Sequence, residues 1–553
     1  MHLNDLLIKG YFPEELIPPF TTEDLSIVED DIITSIDIFD PIAGRAKKRI
    51  TKMIHFSVPK IKAYRRNLGI PHPLHFIRLS NTIVDNWAAI LLHCNVSTIS
   101  LSPIRTRAGS SRAIVKPNFK NTTREKIIRS TGNRYLLKVD IAKFYSSIYT
   151  HSIPWAVHTK AIAKVHRGRT PYYGNALDED CRKMQDGQTV GLPIGPDTSR
   201  IISEIILSSI DREIRAELGY LNGVRVVDDY HLYFRSHGEL EKGRAIVSRT
   251  LKGFELELNQ NKEQLLELPE IIESEWFAEI REFKFRNRWD YQRKDLITFF
   301  DTVVNYTRKY PGDIVMTYAL SKLRFTVFSL KNWAILQSLM MNALLIEPKI
   351  LPYVAQNLLS YQLKGHAVND IIVTDALVQL IEYHLDLVND FEVAWSLWIA
   401  KSLGLTLPAT ISPKLSANEN PIIVLIALDL HESGLLPGID KTHWNTLLTT
   451  NNLYNEHWLI AYEAYRLGWL TSPVDHVDLD PFFKLLKDND VAFYKPNRTL
   501  DLSKVKVTNS PEYFELDDEI EDEDGEEADS VFTGVVPRAS IQQENLLDED
   551  IPF

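Results

Sequence analysis

Two short strand-favouring runs in this 553-residue chain end in, or turn around, acidic side chains, and that pattern constrains the fold more than anything else in it. Tyr135-Leu-Leu-Lys-Val-Asp140 is a β-favouring run closed by a carboxylate. Val224–Val227 and Tyr230–Phe234 read as the two arms of a hairpin, with Asp228-Asp229 as its tight turn. Between the two runs, Gly191, Gly195 and Pro196 make a backbone-exposing turn into a helix from Ser199. Along that helix Ile201, Ile202, Ile205, Ile206 and Ile210 recur at helical spacing. Carboxylates far apart in sequence but on neighbouring strand ends form the sparse oxygen site that Mg²⁺ takes, with phosphates filling the remaining positions. A pair of such ions about 3.5–4 Å apart serves in-line transfer at phosphorus.

The net charge of −12 runs against phosphate binding, but its distribution is uneven. Residues 511–553 hold 16 acidic residues and one basic residue, so the remaining 510 carry 61 basic and 58 acidic groups, a balance of +3. Within them, residues 41–134 hold 19 Lys or Arg and two acids, Asp85 and Glu125. That local excess reads as an electrostatic footprint for nucleic acid. Cys94 and Cys181 are too few for a disulfide framework or a cysteine-rich zinc site and read as small buried hydrophobes. Met1 to Gly10 lacks the basic region and apolar core of a signal peptide, and no stretch has the length and purity of a membrane span. A soluble cytoplasmic protein without a membrane partner is expected.

Four regions are predicted: an N-terminal extension (1–40), a catalytic region (41–290), a helical region (291–510) and an acidic, disordered tail (511–553). Residues 300–470 are a succession of Leu- and Ala-rich amphipathic stretches. Two of them, Glu392 to Gly404 and Glu456 to Gly468, repeat Glu, Ala, Leu and Gly at an offset of 64, as stacked helix pairs would. Trp395, Trp398, Trp458 and Tyr462 fall at helical spacings and are expected in the core.

The wording around the carboxylates carries a family resemblance. VDIAKFYSSIYTHSIPWAVHTK (139–160) resembles motif A of reverse transcriptases, GLPIGPDTSRIISE (191–204) motif B, RVVDDYHLYF (225–234) motif C, and LELNQNK (256–262) motif D. The Phe144-to-Trp155 wording is similar to the bacterial abortive-infection (AbiK-type) and related defence-associated "unknown group" reverse transcriptases. The resemblance covers about residues 60–290. It implies an α+β fold: a palm-and-fingers polymerase domain followed by an all-α, HEAT-like repeat domain. Two departures stand out. Val226 occupies a position where most of the family has an aromatic residue, and motif B reads Leu-Pro-Ile-Gly rather than the retroviral Leu-Pro-Gln-Gly.

What the resemblance implies about the site follows residue by residue. Asp140, Asp228 and Asp229 are the catalytic metal ligands, joined by the backbone of Ile141, with two Mg²⁺ ions per site and Mn²⁺ as an alternative. Tyr145 is the steric gate beneath the sugar C2′. Lys262 serves the departing pyrophosphate. Arg112 and Lys116 grip the triphosphate, and Gly191, Pro193, Gly195 and Ser199 lie against the substrate. The partners implied are dNTPs and a DNA or RNA template or product, in a homo-oligomer, with a non-coding RNA also admitted. Antiphage defence in the bacterial cytoplasm follows from the same resemblance, and untemplated, protein-primed synthesis falls within it. The rivals are a conventional reverse transcriptase copying a dedicated RNA and an inactive nucleic-acid-binding scaffold; intact Asp140, Asp228, Asp229 and Lys262 speak against the second.

Overall fold

The computed structural model describes residues 1–39, 50–60, 64–503 and 505–507; the acidic tail lies outside them. The chain opens with helix α1 (Leu3–Lys9) and then a two-stranded antiparallel sheet, β1 (Ile54–Pro59) against β2 (Arg65–Ile70). Helix α2 (Phe119–Ser130) precedes β3 (Tyr135–Asp140). The 22-residue helix α3 (Asp197–Leu218) leads to β4 (Gly223–Val226) and β5 (Asp229–Phe234), and α4 (His237–Gly253) to β6 (Gln264–Glu267). These last four strands form one antiparallel sheet in the order β4-β5-β3-β6.

Strand alternation decides what each face of this sheet carries. Leu137 and Val139 of β3, with Tyr230, Leu232 and Phe234 of β5, join a core that includes Ile201, Ile205 and Ile210 of α3 and Val247 and Leu251 of α4. The intervening residues, Lys138 and Asp140 on β3 and Asp229, His231 and Tyr233 on β5, therefore share the opposite face. Register sets Asp140 directly across from Asp229 and Lys138 across from His231. The isoleucines predicted at helical spacing on α3 are all fully buried, and Gly219 ends that helix in the left-handed region at φ +80°.

Beyond Ser274 the described residues form helices and no strand. Helix α5 (Asp370–Asp386) packs on α6 (Asp390–Leu403), α6 on α7 (Pro421–Glu432), and α7 on α8 (Trp458–Arg466). The 64-residue offset has a backbone counterpart. Gly404 and Gly468 both take positive φ, and each is followed by the same cap bond: Leu405 N–H to the Ala400 carbonyl (2.8 Å) and Trp469 N–H to the Ala464 carbonyl (3.0 Å). Trp395, Trp398, Trp458 and Tyr462 are fully buried, and Cys94 and Cys181 are buried free thiols. No helix of the described residues is long and apolar enough to cross a membrane.

Residues 1–39 are built into the molecule. Leu7, Tyr11 and Phe12 share a core with Phe56 of β1, Trp395 of α6 and Phe493. Trp395 Nε1 donates to the Glu15 carbonyl (3.0 Å), and Thr21 N–H to the Phe493 carbonyl (3.0 Å).

Candidate active site

The hairpin that carries the carboxylates turns one residue earlier than expected: Val227 and Asp228 form the turn, and Asp229 is the first residue of β5. A two-residue hairpin loop needs positive φ, which glycine or asparagine supplies at little cost. Here Val227, a β-branched residue, sits at φ +53°. A conformation of that kind costs on the order of 1–3 kcal/mol and persists only where its surroundings impose it. They do so through several hydrogen bonds. Ser102 Oγ accepts from Val227 N–H (2.9 Å), and the Val227 carbonyl accepts from Arg225 Nη1 (3.0 Å). Arg225 N–H donates to the Ile99 carbonyl, and the Arg225 carbonyl accepts from Leu101 N–H, both at 2.8 Å.

Arg225 is fully buried between two acids of α3. Its Nη2 lies 2.9 Å from Glu204 Oε1 and 2.8 Å from Asp211 Oδ2, and the Tyr230 hydroxyl donates to Asp211 Oδ1 (3.0 Å). The motif C hairpin is thus bolted to the motif B helix by an ionic cluster beneath the turn of Val227 and Asp228. Sequence reading passed over Arg225, Glu204 and Asp211. The available signal was an arginine inside an apolar strand, which requires acidic partners once buried.

Asp140, Asp228 and Asp229 are all nearly inaccessible, at 2%, 0% and 1% exposure. Asp140 Oδ2 accepts from Asn259 Nδ2 (3.1 Å) and lies 3.2 Å from Lys262 Nζ, while Asn259 N–H donates to the Asp140 carbonyl (2.8 Å). Asp140 Oδ1, both oxygens of Asp228 and Asp229 Oδ1 have no hydrogen-bond partner. Burial raises the Asp140 carboxyl to about 6, with Lys262 opposing and Asp229 adding to the rise. Burial, then the Asp140 charge, pushes Asp228 well above the usual carboxylate range. Asp229 falls to about 2: burial acts against this, but His231 and then Lys126 and Lys138 outweigh it. His231 is itself held down to about 4 by burial and donates from Nε2 to Asp229 Oδ2 (3.2 Å).

Unsatisfied carboxylate oxygens in a buried cluster are costly without a cation. Their number and chemistry suit hard divalent ions that bring water and phosphate ligands of their own. Among the described residues no group of three or more His, Cys, Asp or Glu is arranged to hold a metal ion by itself. Ile141 continues from Asp140 into an isolated bridge with Leu258.

Of the two motif A aromatics, Phe144 is fully buried in the palm core. Tyr145 instead lines a narrow cavity with Ser102, Ile114, Arg200, Glu204 and Val227, its hydroxyl 3.5 Å from Ser203 Oγ. The motif B loop is tied behind it: Leu192 N–H donates to the Tyr145 carbonyl and Gly191 N–H to the Ile148 carbonyl, both at 2.8 Å. Gly195 takes φ +125°, and a Cβ there would stand 2.6 Å from Pro13 Cγ. Pro193 packs against Gly69, and Ser199 is buried at the start of α3.

Arg112 and Lys116 are engaged elsewhere than at the carboxylates. Arg112 Nη2 donates to Asp197 Oδ1 (2.9 Å) and the Gly195 carbonyl (2.8 Å), Nη1 to the Phe12 carbonyl (2.8 Å), and Nε lies 3.6 Å from Glu14 Oε1. Lys116 pairs with Glu14 Oε2. The N-terminal segment thus meets both residues that sequence reading assigned to the triphosphate. More of the basic stretch is neutralised in the same way, Arg65 by Glu392 and Arg78 by Asp180.

Residues 78–299 match the family described as "Reverse transcriptase (RNA-dependent DNA polymerase)", a span that includes every motif from Asp140 to Lys262. The chain therefore carries a reverse-transcriptase domain, that of an RNA-directed DNA polymerase, a nucleotidyltransferase. Among solved structures, the chain is similar to apo telomerase from Candida tropicalis, at 12% identity and TM-score 0.30, over 74% of each chain. It is also similar to a form of that telomerase truncated at its C-terminal domain, at 13% identity and TM-score 0.29, over 46% of this chain and 57% of that one. Telomerase from Candida albicans in complex with the TWJ fragment of telomeric RNA gives 12% identity and TM-score 0.29, over 74% and 68%. No curated protein matches the chain.

Proposed function

We propose that the reverse-transcriptase domain of this chain adds deoxynucleoside monophosphates to a 3′ or protein hydroxyl with release of pyrophosphate, in antiphage (abortive infection) defence. The observation that carries the chemistry is the set of buried, unpartnered oxygens on Asp140, Asp228 and Asp229, with Asp140 and Asp229 opposite one another on paired strands and Asp228 in the adjoining turn. Asp140 and Asp228 are the principal holders of two Mg²⁺ (or Mn²⁺) ions, with Asp229 beside them. Bound there, the ions would lower the pKa of the attacking hydroxyl and neutralise charge on the phosphates.

The chain's own residues do the rest. Lys262 and Asn259 hold Asp140 Oδ2, leaving the buried Oδ1 without a hydrogen-bond partner. The Lys262 ammonium also stands ready to donate to the departing pyrophosphate. Tyr145, at the wall of its cavity, rejects a 2′-hydroxyl by occupying its space. Arg225 and Ser102 hold the strained turn so that Asp228 needs no reorganisation during the reaction.

The defence role, untemplated protein-primed synthesis and homo-oligomeric assembly rest on the resemblance of the motif A wording. The matched caps at Gly404 and Gly468 support a HEAT-like repeat in the helical half. The test is to supply labelled dATP with Mg²⁺ to purified protein and to its Asp228→Ala variant. Label that survives boiling in detergent and is released by protease supports protein priming. Label that runs free after denaturation refutes it and favours a nucleic-acid primer. Label in the Asp228→Ala protein at wild-type levels overturns the site assignment. Plaque counts on bacteria expressing either protein test the defence role, which fails if both give equal protection.

A further inference from the structure

The face of the central sheet that carries the catalytic carboxylates also borders a second cavity, of about 260 Å³, distinct from the one beside Tyr145. That volume lies near the low end for small-ligand sites, which begin at roughly 300 Å³. Its lining is divided by chemistry. Lys126 and Lys138 supply two cations, and Asn133 and Ser130 supply neutral polar groups. Pro269, Ile271, Ile272, Ile127 and Tyr233 supply flat or apolar surface, and Glu270 is also present. Ile127, Ile271 and Ile272 are 47%, 88% and 43% exposed, so apolar side chains stand in solvent around a cation-bearing hollow.

His231 adds a directional group. Its Nε2 faces the Asp229 carboxylate, 3.2 Å from Oδ2, and is the ring nitrogen placed to donate there. Nδ1 is left as an acceptor, buried and without a hydrogen-bond partner, on a residue that lines the cavity. A ligand suited to all three features carries an anion for the lysines, a flat body for the isoleucine and proline surface, and an N–H or O–H donor for Nδ1. Inorganic phosphate lacks the flat body, and a free nucleoside lacks the anion.

The geometry points to a second nucleotide site, separate from the polymerase centre, that takes a nucleoside monophosphate. It touches the catalytic carboxylates through one hydrogen bond, from His231 to Asp229, so occupancy would be felt at Asp229. This site does not depend on the proposed function, since it requires neither divalent ions nor turnover.

The test is calorimetric titration of the full-length protein with dAMP in EDTA, which keeps divalent ions from the carboxylates. We expect saturable one-to-one binding, weakened at least ten-fold in Lys138→Gln and in Ser130→Phe, which fills the cavity from α2. Each variant is first shown by circular dichroism to melt like the wild type, and the second stands in if the first does not fold. Deoxyadenosine and inorganic phosphate should each bind at least ten-fold more weakly than dAMP, and Asp228→Asn should bind dAMP as the wild type does. The inference is overturned by absent dAMP binding, by binding unchanged in the folded variants, or by inorganic phosphate matching dAMP. Lys138-dependent binding of an oligonucleotide but not of dAMP overturns it too, by making the hollow a strand contact. Loss of polymerase activity in Asp228→Asn, with dAMP binding intact, separates the two sites.

Discussion

Replacing Arg225 by Met tests whether the ionic cluster beneath the hairpin holds the turn of Val227 and Asp228. Methionine keeps much of the length and apolar stem but removes the guanidinium, which bonds both oxygens of Glu204, Asp211 and the Val227 carbonyl. Glu204 and Asp211 are 3% and 1% exposed and would be left as buried acids without their counter-charge. Removing one partner of such a cluster costs about 3–5 kcal/mol, because the remaining charge keeps its desolvation penalty. At 1.36 kcal/mol per factor of ten, the hairpin should open roughly 10²–10⁴ times more often. Hydrogen exchange read by mass spectrometry on the peptide spanning 223–234 measures this directly, and dNTP incorporation should fall with it because Val227 loses its restraint. Replacing all three residues together with apolar ones of similar volume should recover most of the stability but not the activity. Exchange in Arg225→Met within a factor of five of wild type would refute the reasoning.

Asp140→Ala and Asp228→Ala should each reduce dNTP incorporation by at least about 10³-fold with folding intact, as judged by circular dichroism. In EDTA, Asp228→Asn should melt above the wild type, because burial penalises the charged carboxylate it replaces; scanning calorimetry reads the difference. Tyr145→Ala should raise the ratio of ribonucleotide to deoxynucleotide use by about ten-fold or more in single-turnover assays, and an unchanged ratio in active enzyme would place the gate elsewhere. Asp390 links α6 to β1 by accepting from Ser57 N–H (2.7 Å), and its carboxyl is raised to about 6 by burial, with Ser57 and Arg65 opposing. A raised folded-state pKa contributes stability that is complete below about 4 and lost as pH rises through about 6. Asp390→Asn should therefore gain on the wild type as pH rises from about 4 to about 6 and hold that gain above, measured as the difference in melting temperature.

The local part of this architecture was legible in residue order. β3, the hairpin and α3 follow from β-propensity, turn chemistry and the isoleucine spacing, which are properties of neighbours in the chain. That the aspartates meet on neighbouring strands was expected from the motif order, but the register that faces Asp140 with Asp229 was set by the fold. The turn was misplaced by one residue because local chemistry favours Asp-Asp at a tip. The position of Val227 is instead imposed by Ser102, from a distant segment, and by Arg225 locked in its cluster.

Counting charge along residues 41–134 found two acids in the stretch, and so it looked like an open basic surface. Folding supplied Glu14, Asp180, Asp197 and Glu392 from outside it, and these hold Arg112, Lys116, Arg78 and Arg65. Secondary structure, motif order and the identity of the carboxylates are decided within a few residues, where the chain's own stereochemistry acts. Which charges are neutralised, which carboxylate oxygens go without partners and where a second cavity opens were decided only by the tertiary structure. Coulomb interactions and burial depend on distance in space, and packing brings together residues that the chain keeps hundreds of positions apart.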